Sequence, residues 1–280
     1  MVVIYDEHCD ALGGKHYSTE KKNLGNKLFI YSISRVAADI LNCNLVAPEN
    51  ALIRREEESV NQYVNHIFPF KGIYDRRDIQ SPVVTLNDID IYNHNGIANF
   101  IAAHPEHKIM SMGYYSKYDY IKPHKDLIKS YYQPIVKPKR STNDIVIMLR
   151  NSRVDGRFVL PDDYYTSILE KESFDNLYIS LDHAYKHDRL LAKLQKYNPI
   201  FIKGSILEVF TEVTSFNKII AAQGTFSFWA CLLSSAEKIY WPMTNDGPNS
   251  NNDVFKQFVN LKVDDEPRYE FVDIPNIYIN

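Results

Sequence analysis

The sequence has no apolar run approaching the roughly 20 residues that a membrane-spanning helix needs. Its first apolar stretch, residues 1–5, is too short for a signal peptide and is followed at once by Asp6 and Glu7. It has no basic excess either: 32 Lys and Arg stand against 35 Asp and Glu, a formal net charge of −3. That balance argues against nucleic acid as the main partner, because binding a phosphate backbone needs surplus cations. Cysteine is scarce. Cys9, Cys43 and Cys231 are odd in number and far apart, so neither a disulfide framework nor metal-ligand spacing is present. No Asn-x-Ser/Thr sequon occurs. The dinucleotide fingerprint Gly-x-Gly-x-x-Gly and the phosphate-loop pattern are missing; Gly13-Gly14-Lys15 lacks both the upstream glycine and the following hydroxyl. So is the Gly-x-Ser-x-Gly elbow of serine hydrolases. These absences lead us to expect a soluble protein of a reducing, cytoplasmic compartment, with no membrane span.

What is present is an ordinary globular share of apolar residues, 45% of 280, and an unusual supply of tyrosine, 20 residues. Tyrosine together with Asn and His suits polar, aromatic-lined grooves of the kind that bind sugars; a codon bias would leave the same trace. The length allows one large domain or two of medium size.

The pattern along the chain favours two. Residues 2–5 read as a first strand. Leu28, Ile30, Tyr31, Ile33, Val36, Ala37, Ile40 and Leu41 approximate helical period. Short strands are expected at 45–47, 82–86 and 107–112, and a helix at 125–132. Residues 133–143 carry two prolines and a basic cluster without apolar period, which marks a linker. Beyond it, strands at 144–149, 176–180, 199–202, 218–222 and 239–241 alternate with helices at 162–171, 183–197, 207–215 and from 226. Such alternation means parallel sheets with crossover helices. We therefore expect an α/β protein with an N-terminal domain over 1–136 and a ligand-binding domain over 144–245. A tail over 246–280, with a helix near 254–261, would pack back on the first domain.

Two segments suggest chemistry. In Gln223-Gly-Thr-Phe-Ser227 a glycine and two hydroxyls stand between a strand and a helix start, which is how chains build anion pockets; a helix N-cap is the plainer reading. Arg150 and Arg153 follow the strand that ends at Leu149, and a guanidinium matches phosphate oxygens at two points. A competing signal is Asp88-Ile-Asp90 after a strand, a pattern that can hold a divalent ion on a diphosphate, or simply a turn. His183 and His187, and His104 and His107, lack a clear third ligand.

Several segments, in order, resemble the alpha-1,2-fucosyltransferase family of inverting glycosyltransferases. They are NLGNKLFIYSISRVAADIL (with Gly25, Asn26, Leu28 and Phe29 matching), GYYSKYDYIKPHKDLI from Gly113, IVIMLRNSRVDG from Ile145, and LEVFTEVTSFNKIIAA leading into GTFSFWACLL. The resemblance spans about residues 24–242. It implies two Rossmann-like domains facing a cleft, the arrangement called GT-B, and a nucleotide-sugar donor in the C-terminal half. It also implies that no metal or other cofactor is needed. By it, Arg150 would grip the pyrophosphate, Thr225 and Ser227 with nearby backbone amides would complete the cradle, and Asp182 would lie near the nucleoside; Arg153, Gly224 and Phe226 are further donor-site candidates from their places beside these residues. Gly25 and Asn26 would shape the cleft, with His16 beside them. Asp155 is the first candidate for the base that takes the acceptor's proton, ahead of His16 and Asp10.

The sequence departs from the family pattern at Met148 (a His there), near Arg153 and Asp155, at Gly224 (a Ser) and at Phe228 (a Trp). Length and composition also resemble capsid-glycan glycosyltransferases of large algal viruses (chloroviruses), one of which is a xylosyltransferase. UDP-xylose is thus the first donor expected and GDP-fucose the second, with an oligosaccharide or glycoprotein glycan as acceptor. The alternatives are a metal-dependent transferase using Asp88 and Asp90, or a glycan-binding protein without catalysis.

Overall fold

The computed structural model describes residues 2–4, 24–47, 72–74, 83–105, 108–111, 113, 115–132, 141–150, 159–181, 188–244 and 259–274. The chain divides into two compact units, Met1–Gln133 and Pro134–Asn280.

The first unit is built on a parallel sheet of β1 (Val2–Ile4), β2 (Leu45–Ala47), β3 (Gly72–Tyr74), β4 (Val83–Leu86) and β5 (Lys108–Ser111), in the order β3-β2-β1-β5-β4. Helix α1 (Leu24–Ile40) packs on β1. Leu28, Phe29, Ile33, Val36 and Ala37 bury its apolar face completely. It stops where Asn42 turns left-handed (φ 48°), with the amide of Cys43 donating back to Ala38 O at 2.9 Å. Two short helices, α2 (Asp88–Asn93) and α3 (Ile97–Ala103), follow β4. They are too short for periodicity to reveal. After β5, Gly113 and Tyr115 are buried. Tyr115, at φ 54°, donates its hydroxyl to Leu86 O at 2.6 Å and shares a hydrogen bond with Ser111 Oγ. Gly113 is required beside it, since a Cβ there would lie 2.4 Å from the Tyr115 ring. Among the described residues of the unit there follow α4 (Tyr118–Ile121), a 3₁₀ turn at Lys122–His124 and α5 (Lys125–Tyr131).

The second unit carries β6 (Ile145–Leu149), α6 (Asp162–Lys171), β7 (Leu177–Leu181), α7 (Asp188–Leu194), β8 (Ile200–Ile202), α8 (Ile206–Val213), β9 (Lys218–Ile220), α9 (Thr225–Leu233), β10 (Lys238–Thr244) and β11 (Tyr269–Ile274). Its sheet runs β11-β10-β9-β6-β7-β8, parallel throughout. The central strand β6 is buried at all five positions, which is why it reads as an unbroken apolar run. Ile145, Ile147 and Leu149 share a core with Tyr164, Tyr165, Ile168, Ile179, Leu190 and Tyr240.

One domain expectation is corrected. The second unit does not end near residue 245: residues 269–274 pair in register with β10 from Ile239↔Tyr269 to Thr244↔Ile274, covering an edge β10 would otherwise expose. The run Tyr-Glu-Phe-Val-Asp-Ile mixes polar and apolar residues without clean alternation, so pattern alone does not flag it. The helix expected at 254–261 lies largely outside the described residues, and Val259–Leu261 are not helical.

At the amino ends of β9 and β10, Glu172 gathers Lys238 (Nζ to Oε1, 2.6 Å), Lys218 (3.4 Å) and the Tyr240 hydroxyl. Burial pushes the Glu172 carboxyl up. Hydrogen bonds from Lys238 and Tyr240, and the charges of Lys238 and Lys218, outweigh it and hold the pKa below the ordinary 4.5. A depressed folded pKa gives stability that is present above 4.5 and is lost as pH falls through the folded value. Glu172→Gln is expected to cost about 1–3 kcal/mol at pH 7 and less as pH falls below the ordinary carboxylate value. Both tryptophans, Trp229 and Trp241, are buried in this unit, so urea titration followed by their fluorescence reports it. An equal cost at neutral and at acid pH would refute the linkage.

Candidate functional site

Strand order decides where a ligand can sit in the second unit. From β6 the chain winds outward through β7 and β8; it then crosses back to β9 and winds the other way through β10 and β11. The reversal lies between β6 and β9, which are paired from Ile145↔Lys218 to Ile147↔Ile220. At such a switch point the loops leave the two carboxyl ends in opposite directions and open a crevice, where ligands of open α/β sheets bind.

Two of the sequence candidates are brought together there. Arg150 is the first residue beyond β6, and Gln223-Gly224 joins β9 to α9. Arg150 Nη1 donates to Gln223 O at 3.0 Å. Gly224 has φ +122°, and a Cβ on it would lie 1.9 Å from Arg150 Nη1 and 2.9 Å from Cζ. Glycine is therefore needed twice over, for the backbone angle and for the approach of the guanidinium.

Helix α9 starts with no side-chain cap, and its first intrahelical bond runs from the Phe228 amide to Gly224 O at 3.0 Å. The amides of Thr225, Phe226 and Ser227 thus precede any acceptor within the helix, and they carry its partial positive charge. No acidic residue stands in this first turn. Thr225 is half-buried and Ser227 buried. The Phe226 ring leans edge-on against buried Phe210 of α8, 5.4 Å between centroids, which turns it toward a neighbouring helix. Guanidinium and helix tip together make a positive corner suited to phosphate oxygens.

The corner is held from behind. Tyr164, fully buried on α6, donates its hydroxyl toward Ala221 O (2.9 Å) and Tyr240 O (3.0 Å), tying the exit of β9 to the neighbouring strand β10. Burial drives its pKa well above the ordinary tyrosine value, so it stays a neutral donor. Gln223 is wholly buried. Its Nε2 donates to Thr244 Oγ1 at the end of β10, 2.6 Å away, while its Oε1 has no hydrogen-bond partner. An orphaned buried acceptor costs about 1–3 kcal/mol. At the far end of α9, Arg268 donates to Cys231 O, Leu232 O, Ser234 O and Ala236 O between 2.7 and 3.3 Å and pairs with Glu266. Cys231 itself is buried, and burial pushes its thiol up to about 12, which removes it as a nucleophile.

Other candidates fall elsewhere. Gly25 and Asn26 form the first turn of α1 in the first unit, Gly25 buried and Asn26 half-buried. Asp90 closes a capping box with Asn87: its Oδ2 accepts from the Asn87 amide at 3.1 Å and its own amide donates to Asn87 Oδ1 at 3.0 Å. Asp88 Oδ2 accepts from the Tyr115 amide at 3.2 Å. Lys117 is near Asp88, its Nζ lying 5.7 and 5.2 Å from the ring centres of Tyr92 and Tyr120. Burial pushes the Lys117 pKa down against the pull of Asp88 and Asp119. The Asp-x-Asp pair thus has structural work to do, a helix start and a loop tie. Among the described residues no three His, Cys, Asp or Glu side chains cluster as a metal site would require. His104 Nδ1 is hydrogen-bonded to Phe100 O at 2.8 Å. Met148 is buried in β6. His16, Asp10, Arg153, Asp155, Asp182, His107, His183 and His187 lie outside the described residues.

Sequence reasoning missed Tyr164, Thr244 and the side chain of Gln223. No local signal distinguishes Tyr164 from other helix tyrosines, and Gln223 was legible only as part of its turn.

No protein-family model matches the sequence, and no curated protein matches it. Solved structures do. The Arabidopsis thaliana fucosyltransferase FUT1, in complex with GDP, aligns over 90% of this chain and 72% of its own, at 12% identity and a TM-score of 0.52. The E. coli heptosyltransferase WaaC with ADP aligns over 98% of this chain and 93% of its own, at 8% identity and a TM-score of 0.50. At such identities the likeness establishes the fold: this chain shares the parallel α/β architecture of those GT-B transferases.

Proposed function

We propose that this chain is a glycosyltransferase that binds a nucleoside-diphosphate sugar at the β6/β9 switch point and transfers the sugar, with inversion, to a hydroxyl of an oligosaccharide or glycoprotein glycan. The observation that carries the reading is Arg150 donating to Gln223 O against a glycine that precedes a helix tip. The fold is that of transferases whose structures hold GDP and ADP, which supports a diphosphate at this place.

In this reading the acceptor oxygen attacks the anomeric carbon. The bond from that carbon to the phosphate oxygen breaks, and its electron pair leaves with the diphosphate. Charge on the leaving group grows as the bond breaks. Arg150, Thr225, Ser227 and the first amides of α9 hold that charge more strongly then than in the ground state, which lowers the barrier. Phe226 contributes its amide while its ring packs on Phe210. Arg153 and Asp182 complete the donor site, Gly25, Asn26 and His16 belong to the acceptor side, and Asp155, five residues after Arg150, takes the acceptor's proton. Protein groups alone hold the diphosphate, without a divalent ion. UDP-xylose is the donor we favour, GDP-fucose the second.

A thermal-shift panel of UDP, GDP, ADP, UDP-xylose and GDP-fucose, with and without chelator, tests this. A ligand that binds the folded state at 100 times its Kd adds about 2.7 kcal/mol of stability. We expect at least one nucleoside diphosphate to raise the melting temperature, in chelator as well as without it. Stabilisation by oligosaccharides alone would overturn the reading in favour of glycan binding without transfer. A shift abolished by chelator would bring back a metal-dependent site.

A further inference from the structure

We infer that Gln223 is a positioning residue for the anion corner, its buried carboxamide tying the end of β10 to the turn that aims Arg150 at the tip of α9. The inference rests on the diphosphate reading of that corner. Three observations converge on this one residue. Its main-chain carbonyl receives Arg150 Nη1 at 3.0 Å. Its Nε2 is fixed to Thr244 Oγ1 at 2.6 Å, at full burial. Its Oε1 is left without a partner.

An apolar side chain of the same shape would fill this space without stranding an acceptor. A glutamine that anchors only one end of its amide therefore does something packing does not require. The carbonyl of a residue at a strand exit is free to rock with the peptide plane unless the residue is held. Thr244 closes β10 and is itself fully buried, so the bond to it gives Gln223 a fixed reference on the sheet. With the side chain anchored, the carbonyl points at one place, and the guanidinium it holds is ready for a diphosphate rather than ordered by it. Preorganisation of this kind appears as affinity.

The test separates holding from packing. In Gln223→Met the shape is kept and the anchor removed. We expect a melting temperature within about 3 °C of wild type, and UDP and GDP binding by calorimetry weaker by about tenfold. Side-chain NMR of Arg150 in the unliganded protein should show faster guanidinium rotation than in wild type. Thr244→Val, which removes the same bond from the other side, should lose affinity equally, and the double variant no more than either. Thr244→Ser, which keeps the hydroxyl, should bind as wild type does. Unchanged Arg150 rotation and unchanged affinity in Gln223→Met would overturn the inference, as would independent losses that add in the double variant. If wild type binds neither UDP nor GDP while Arg150 is freed in Gln223→Met, the diphosphate reading fails and the mechanical link survives. If the rotation is unchanged as well, both fail.

Discussion

Replacing Arg150 by alanine is expected to reduce kcat/KM for sugar transfer by roughly two orders of magnitude, about 3 kcal/mol of transition-state stabilisation, the scale of one lost oxyanion donor. The argument is geometric. Arg150 is half-buried at the carboxyl end of a fully buried strand, with one guanidinium nitrogen already bound at the turn before α9. Its charge is thereby delivered to the place where the helix amides converge. A lysine would keep the charge but not the planar fork, so Arg150→Lys should recover only part of the loss. Stability should fall by about 1–3 kcal/mol at most, the cost of leaving the carbonyl of buried Gln223 without this donor. Donor turnover by both variants, compared with their urea midpoints, checks this. A variant that transfers at near the wild-type rate would remove the diphosphate from this corner. A variant that merely unfolds would assign Arg150 to structure.

The second large effect is one of stability. Arg268→Met should destabilise the second unit by about 3–5 kcal/mol, the cost of breaking a buried, charge-assisted network on one side. Arg268 closes the carboxyl end of α9: its two terminal nitrogens serve the carbonyls of Cys231, Leu232, Ser234 and Ala236, and its Nε pairs with Glu266. Its side chain is only 16% exposed, so water cannot readily take its place. Cys231 O keeps the Ser234 hydroxyl at 2.8 Å, but Leu232 O, Ser234 O and Ala236 O lose the donor that Arg268 brings them. A cation at this end also complements the helix dipole whose positive pole lies at the proposed diphosphate corner. The urea midpoint of the tryptophan fluorescence should fall sharply in Arg268→Met, and Arg268→Lys should recover little, since a single ammonium cannot reach so many acceptors. A loss below about 1 kcal/mol would mean that the network is worth no more than an exposed ion pair.

Much of the second unit is readable along the chain. Ile145–Leu149 is apolar at every position because both faces of β6 are covered. The alternation from there to Trp241 could serve only a parallel sheet with crossovers. The glycine and hydroxyls of Gln223–Ser227 stand out for the same local reason, a tight turn into a helix. In the first unit α1 shows its period over 17 residues, whereas α2 and α3 are too short to display one, and β3 is three residues long. The Asp88-Ile-Asp90 signal shows the opposite failing. Its carboxylates look like ligands in one dimension and turn out to cap a helix and tie a loop.

Taken alone, the sequence settled the class of this protein: local periodicity, the spacing of turn residues and the balance of charge all act over a few positions and can be read there. It also marked Arg150 and Gly224, each at the end of its own strand. That these two, 74 positions apart, lie one hydrogen bond from each other's turn was decided by the order of strands in the sheet, which sets β6 beside β9. The partners of Gln223, Tyr164 and Arg268 were decided in the same way. A buried polar group takes whichever acceptor or donor folding carries to it, and nothing in its neighbours along the chain names that partner.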